Sequence, residues 1–335
     1  MDTERWRGIL SPAGRRGARL LGGIAVLVLL ARRLGSGPFV DALRAVRVPT
    51  LAAAVAIGAL TTVLAAWRWT VVARGLGLRL PLGDAVGACY RALFLNAVLP
   101  GGVLGDVGRA VRHGRGVGDV ALAVRAVVLE RCAGQLALGA ATGAVLVFDR
   151  GAVPVPAVPG GAVAAVALPV ALVAVIGSAV PPVRRRIAAW GREAAGIVTS
   201  PAGAAGVGLT SVAILAGHLA TFVLAARAAG VTAATTRLVP LALLALLAMS
   251  LPLNVGGWGP REGVMAWAFA ASGLDAAQGL TTSVVYGLFA LAASLPGAAA
   301  PLAQQVAGWG AAWSAERLPG SPAVAPAPAT GPVAP

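Results

Sequence analysis

Long apolar stretches alternate with short polar segments along most of this chain. Six stretches approach or exceed the roughly 20 residues that a helix needs to cross a bilayer: 17–38, 49–67, 118–148, 161–180, 204–226 and 275–300. Two further apolar segments, 83–116 and 238–272, carry a break rich in proline and glycine near the middle. Because such a break divides a segment into two shorter helices, it predicts a helical hairpin, either re-entrant or made of two short crossings. The pattern predicts an all-α, polytopic transmembrane helical bundle.

The two breaks lie within Asn96–Arg109 and Leu251–Gly263. Glycine and proline leave backbone groups without helical partners, and hydrocarbon supplies no water to replace those partners. Such a break persists where it is buried in protein or lines a polar cavity, so both breaks are candidate substrate sites. The residues that form them are Pro100, Gly101, Gly102 and Gly105 in the first, and Pro252, Gly256, Gly257 and Gly259 in the second.

The composition agrees with a membrane protein. Hydrophobic residues make up 58% of the 335 residues and charged residues 12%, and the mean hydropathy is +0.83. We expect one transmembrane domain over 17–300, a cytoplasmic N-terminal segment at 1–16, and a disordered Ala/Pro-rich tail at 301–335. Cys89 and Cys132 lie in apolar segments without metal or disulfide spacing, so both are expected to be small buried side chains.

The net charge of +15 comes from arginine alone, and the arginines flank the apolar stretches. This distribution favours contact with anionic lipid headgroups over nucleic-acid binding. Five arginines precede Leu20, which predicts a cytoplasmic N-terminus in a bacterial inner membrane. A loop with four more arginines is expected on the same side: Arg184, Arg185, Arg186 and Arg192. Against this orientation, Arg32, Arg33, Arg44 and Arg47 fall on the outer side.

With this orientation the hairpin at 83–116 enters from the inside and the hairpin at 238–272 from the outside. The two halves of the chain then have opposite senses, which predicts an inverted repeat with a binding site at the repeat interface. Residues 68–82 are expected to form an interfacial connector, with Trp67 and Trp69 anchored at headgroup level.

The first break carries the strongest candidate site. Asp106 and Arg109 are three positions apart and share a helical face, while Arg91 and Asn96 lie on the incoming helix. A helix N-terminus beside a guanidinium suits a phosphate group. The alternative is a static Asp106–Arg109 pair that pins the hairpin, and the residues favour neither reading. Downstream, Arg112, His113 and Arg115 are expected to meet lipid headgroups at the cytoplasmic face.

The second break supplies Arg261 and Glu262 in the first turn of a helix that starts at Pro260. Glutamate there complements the helix dipole, whereas arginine gains nothing from capping, so Arg261 is the better functional candidate. Glu130 and Arg131 are interpreted as a self-neutralising structural pair, with a gating or substrate-facing pair as the alternative.

His218 is expected to be a hydrogen-bonded packing residue. The pattern predicts no cofactor, no metal site and no enzymatic constellation.

Three motifs together resemble the transmembrane, flippase-like domain of the lysylphosphatidylglycerol synthase family. They are Asn96-x-x-Leu-Pro-Gly-Gly-x-x-Gly-Asp-x-x-Arg109, then Glu130-Arg131, then Leu251-Pro-x-x-x-Gly-Gly-x-Gly-x-Arg-Glu-Gly263, and the resemblance covers roughly 15–300. In the best-known members this domain is implicated in moving aminoacylated phosphatidylglycerol between leaflets and precedes a soluble aminoacyltransferase domain.

The resemblance implies a stand-alone flippase-like protein, without the synthase activity, whose partner is a membrane phospholipid or other polar lipid. The alternative is a non-transporting membrane partner or regulator of a separately encoded lipid- or glycan-modifying enzyme.

Overall fold

A computed structural model describes residues 36–99, 102–148, 181–250 and 260–299. Ten helices and no strand occupy these ranges, which confirms the all-α prediction. The helices are α1 (Ser36–Ala45), α2 (Val48–Gly75), α3 (Leu82–Val98), α4 (Leu104–Val117), α5 (Val120–Phe148), α6 (Pro181–Thr199), α7 (Pro201–Ala228), α8 (Thr235–Met249), α9 (Pro260–Ala271) and α10 (Ala276–Ser294).

Three of the described helices are long and apolar enough to cross a membrane: α2, α7 and α10. They correspond to the stretches predicted at 49–67, 204–226 and 275–300. The helix α5 has 29 residues and covers the stretch predicted at 118–148. The predicted span 161–180, nearly all of 17–38, the N-terminal segment 1–16 and the tail 301–335 lie outside the described residues.

The helices α2 and α7 pack against each other and run antiparallel. Gly217 of α7 lies against Thr61 of α2, and Gly206 of α7 lies against Val71 of α2. Small residues at these contacts let the two backbones approach closely, as is common between transmembrane helices. Both helices have 28 residues, so each half of the chain contributes one long helix to this pair.

The first break forms the predicted helical hairpin. The helices α3 and α4 pack against each other and have 17 and 14 residues, so they are about 26 and 21 Å long, less than the roughly 30 Å of hydrocarbon in a bilayer. Gly105 lies in the first turn of α4 against the backbone of Ala92, where a Cβ atom would overlap the Ala92 carbonyl. Gly102 takes a positive φ of 60° at the turn, whereas Pro100 and Gly101 lie outside the described residues.

The second break also separates two short helices that pack together, α8 with 15 residues and α9 with 12. Proline at position 260 begins α9, where its missing N–H costs no hydrogen bond. The remaining break residues lie outside the described ranges: Pro252, Gly256, Gly257 and Gly259.

The two hairpins belong to two buried clusters that include residues from opposite ends of α2. One buried cluster joins Trp69 and Ala73, in the second half of α2, to α3, α4 and α5. Another joins Ala54, near the start of α2, to Leu241 of α8, Phe269 of α9 and residues of α7 and α10. Hairpins at opposite ends of an antiparallel pair are the arrangement expected of an inverted repeat.

Three local predictions were wrong. The helix α2 continues to Gly75, so the first half of the expected connector at 68–82 is helical. Trp69 is fully buried instead of anchoring at headgroup level, whereas Trp67 is 47% exposed. The arginine-rich segment expected to be a loop is the helix α6, with Arg184–Arg186 exposed and Ile197 packed against Val72 of α2.

Candidate functional site

Five charged side chains from three helices form a continuous row in which positive and negative groups alternate. We call this set the charged row; its order is Arg68, Glu130, Arg109, Asp106, Arg131. Arg68 Nη2 lies 2.6 Å from Glu130 Oε1, and Arg109 Nη2 lies 2.7 Å from Glu130 Oε2. Arg109 Nε lies 2.9 Å from Asp106 Oδ1, and Arg131 Nη2 lies 2.7 Å from the Asp106 carboxylate.

Burial makes this pairing necessary. Arg68, Asp106, Arg109 and Glu130 are between 1% and 9% exposed, and a buried charge without a partner costs several kcal/mol. Each carboxylate is therefore shared between two guanidinium groups. Arg131, at the end of the row, keeps 53% of its side chain exposed.

Neighbouring side chains hold the arginines of the charged row in place. Arg68 Nη1 donates to Ser211 Oγ of α7 at 2.9 Å. The Arg109 guanidinium lies over the Trp69 ring, with Cζ 4.5 Å from the ring centroid, and Nη1 lies 3.6 Å from Cys89 Sγ. The cation–π contact and the ion pairs together fix the orientation of Arg109.

Asn96 ties the tip of the first hairpin to the charged row. Its Nδ2 donates to Asp106 Oδ2 at 2.9 Å, and its Oδ1 accepts from the Gly105 backbone N–H at 2.7 Å. Because Asp106 lies in the first turn of α4, its carboxylate also complements the positive end of that helix. The hairpin tip is thus part of the site.

The second hairpin contributes a separate ion pair. Arg261 Nη2 donates to Glu262 Oε1 at 2.6 Å, and Ser283 of α10 bonds both residues, at 2.8 Å and 3.0 Å. Arg261 Cζ lies 5.3 Å from the centroid of the Tyr286 ring, and Tyr286 Oη lies 3.3 Å from His218 Nδ1. His218 is therefore hydrogen-bonded, as predicted. Tyr286 connects the second hairpin to α7.

A cavity of about 640 Å³, the central cavity, lies between α2, α4, α5, α7, α8 and α10. A smaller cavity of about 150 Å³ shares several of its residues and also contacts Arg109 and Glu130. Most of the central wall is aliphatic. Its polar and charged lining residues are Arg68, Asp106, Arg131, Gln135, Ser211, His218, Ser250 and Tyr286.

A third cavity, the Arg91 cavity, has a volume of about 320 Å³. It lies where α2 ends, α3 begins and α4 approaches its end. Its polar and charged lining residues are Trp69, Asp84, Arg91, Arg109, Arg112 and His113. Arg109 therefore contacts both this cavity and the smaller cavity beside the central one.

The structure changes several predicted roles. The Asp106–Arg109 pair is present, but Glu130 and Arg131 do not pair with each other, since neighbouring side chains on a helix do not face one another. Arg91 does not line the central cavity, and Arg109 is the member of the charged row that shares the Arg91 cavity with it. Cys89 is buried as expected, whereas the expectation for Cys132 was wrong because it is exposed.

Three residues of the site were not predicted from the sequence: Arg68, Ser211 and Tyr286. Arg68 had a usable signal, because a charge inside a long apolar helix is expensive and is commonly functional. Ser211 and Tyr286 had no sequence signal, since their roles depend on which helices pack together. In the described residues, no three His, Cys, Asp or Glu side chains group as metal ligands would.

These features define a helical membrane protein in which two helical hairpins each contribute buried, ion-paired side chains. Residues 17–297 match the family described as Lysylphosphatidylglycerol synthase TM region, and the chain belongs to this family. It is thus a membrane protein of a lipid-related family. No curated protein and no solved structure matches the chain.

Proposed function

We propose that this protein moves a phospholipid, or another polar lipid with an anionic headgroup, between the leaflets of a bacterial inner membrane. The observation that carries the proposal is the central cavity, which joins guanidinium groups to a long aliphatic wall in one space. A polar lipid has the same two parts, a charged headgroup and apolar chains.

The charge of the site favours an anionic headgroup. The charged row contains three guanidinium groups and two carboxylates, which leaves one positive charge in excess. Arg68 and Arg131, the two ends of the row, both line the central cavity. Guanidinium groups bind phosphate oxygens through two parallel hydrogen bonds, so these ends suit a lipid phosphate.

The remaining wall suits acyl chains. It includes Val127, Leu138, Ile214 and Leu246, contributed by α5, α7 and α8. These side chains offer no hydrogen bond to a headgroup but can contact hydrocarbon. The two hairpins belong to buried clusters that include opposite ends of α2, which supports a route that connects the two membrane faces. In this proposal the N-terminus is cytoplasmic.

Transport is favoured over catalysis by the same residues. Arginine stays protonated near neutral pH and does not serve as a general base. Each of the two carboxylates of the charged row accepts hydrogen bonds from two guanidinium groups. The residues of the site bind and orient charge.

The experiment is a leaflet assay with the full chain reconstituted in vesicles that contain a fluorescent phosphatidylglycerol analogue. Exposure of the analogue to an added quencher measures translocation. Arg131→Gln removes the exposed end of the charged row and is expected to slow translocation about tenfold or more, as the loss of one charge-assisted hydrogen bond implies. Arg125→Gln is the matched control, because Arg125 lies on the same helix and pairs with Glu193, outside the charged row.

Equal rates for the wild type and both variants, with all three folded, would overturn the assignment of the site. Wild-type vesicles no faster than protein-free vesicles would overturn the transport proposal and favour a non-transporting partner of a separately encoded enzyme. Co-purification with such an enzyme would then be the next measurement.

A further inference from the structure

We propose that the Arg91 cavity is a second anion site, which binds a phosphate group. The cavity is bounded by the end of α2, the first turns of α3 and the second half of α4. Binding of a phosphate group in this cavity does not require that the protein transports lipid.

Three buried polar atoms at the Arg91 cavity have no hydrogen-bond partner within the described residues. Trp69 Nε1, Arg91 Nε and His113 Nε2 are buried and have no hydrogen-bond partner within the described ranges. All three residues line the Arg91 cavity, and Trp69 is 0% exposed. A buried donor without a partner is unfavourable, because it has lost its hydrogen bonds to water. A ligand that hydrogen-bonds these groups would recover that free energy.

The chemistry of these atoms selects an acceptor. The indole N–H of Trp69 and the guanidinium N–H groups of Arg91 can only donate. The Nε2 atom of His113 donates when it carries the proton, and His113 stacks edge-on against Trp69, with 5.7 Å between ring centroids. Three donor groups from three helices match the several oxygens of a phosphate better than the single oxygen of a hydroxyl group.

The charge of the cavity also favours an anion. Arg91 and Arg112 line it together with one carboxylate, Asp84. Arg109 lines it too, but its charge is shared with Glu130 and Asp106. One positive charge therefore stays in excess at the cavity wall.

The backbone at the start of α3 adds N–H donors beside the Arg91 cavity. The helix α3 begins at the cavity, where Gly83 is a lining residue. Its N-cap residue, Pro81, provides no side-chain cap. The first N–H groups of a helix have no partner within the helix, and Gly83 and Asp84 bring the first turn of this 17-residue helix to the cavity wall.

Binding of a phosphate group to the full chain in detergent micelles tests the proposal by calorimetry. One arm uses inorganic phosphate and the other a short-chain phosphatidylglycerol, which distinguishes a free anion from a lipid headgroup. Arg91→Gln is expected to weaken binding about tenfold, as the loss of one charged hydrogen bond implies. Trp69→Phe removes one donor but keeps an aromatic ring under Arg109, and it is expected to weaken binding by a smaller factor.

Arg115→Gln is the matched control, because Arg115 is exposed on α4 and does not line the cavity. Wild-type affinity in this variant, with weakened binding in Arg91→Gln and Trp69→Phe, supports the site. No binding in either arm, or equal weakening in all three variants, overturns it. Since neither arm measures translocation, a failure here is separable from a failure of the leaflet assay.

Discussion

Arg68 and Glu130 are 62 positions apart in the sequence, and Arg68 Nη2 donates to Glu130 Oε1 across 2.6 Å. The other oxygen of Glu130 accepts from Arg109 at 2.7 Å. A single carboxylate thus joins α2, α4 and α5. It links α2 to the first hairpin through side chains.

Replacing Glu130 should destabilise the protein strongly. Glu130→Gln leaves the Arg68 and Arg109 guanidinium groups without their shared anion in a buried site. Removing one partner of a buried ion pair costs about 3–5 kcal/mol. A large fall in the thermal unfolding midpoint of the full chain in detergent is expected.

The matched control for that change is Glu193→Gln. Glu193 pairs with Arg125 at 2.5 Å, but the two side chains are 31% and 26% exposed. Pairs of this exposure contribute about 0–1 kcal/mol. If both glutamate variants lowered the unfolding midpoint equally, burial of the charged row would not explain the loss of stability in Glu130→Gln.

The first hairpin depends on one glycine at its tip. In Gly105→Ala the new Cβ would overlap the backbone of Ala92, so α3 and α4 must separate slightly. Overpacking of this kind costs about 1–3 kcal/mol. The matched control is Gly108→Ala on the same helix, whose new Cβ would lie 3.8 Å from Arg112, an ordinary van der Waals distance. Because alanine favours a helix more than glycine does, this variant should be neutral or slightly stabilised. Thermal unfolding of both variants checks the difference, and equal stability would contradict the close packing.

Two substitutions separate the contributions of the Tyr286 hydroxyl group and of its ring to stability. Tyr286→Phe removes the hydroxyl group that meets His218 but keeps the ring beside Arg261, so a loss of about 0.5–1.5 kcal/mol is expected. Tyr286→Leu also removes the ring, and the lost cation–π contact adds about 0.5–2 kcal/mol. Chemical unfolding of both variants measures the two increments. A leucine variant as stable as the phenylalanine variant would show that the ring contributes nothing.

The two cysteines should differ in reactivity. Cys132 is exposed and lines the central cavity, whereas Cys89 is buried beside Arg109. Treatment of the folded protein with N-ethylmaleimide is expected to modify Cys132 first, as mass spectrometry of the digested protein would show. Cys132→Ser should then leave a protein that reacts only after unfolding. Rapid modification of Cys89 in the folded state would contradict the packing around Arg109.

Local patterns predicted the local part of the site. Asp106 and Arg109 share a helical face because they are three positions apart, and that pair could be predicted from spacing alone. The breaks predicted the hairpins, because glycine and proline interrupt a helix wherever they cluster. Both results depend on neighbours in the sequence.

The partners of Glu130 could not be predicted in this way. Arg131 follows it directly, but consecutive side chains on a helix point in different directions, so that neighbour was the wrong partner. The true partner Arg68 follows Trp67 at the end of an apolar stretch, where a boundary at the membrane surface was the simpler interpretation. The packing of α2 against α5 decides the pairing, and hydropathy carries no information on that contact.

The charged row has an odd number of members, and both of its ends are cations. Two carboxylates can neutralise two of the three guanidinium groups, and the group left over can be Arg68, Arg109 or Arg131. Each guanidinium group keeps its own charge, because no carboxylate of the row can cancel more than one of them. An anion that reaches the row from the central cavity therefore meets a cation at whichever end it contacts, Arg68 or Arg131.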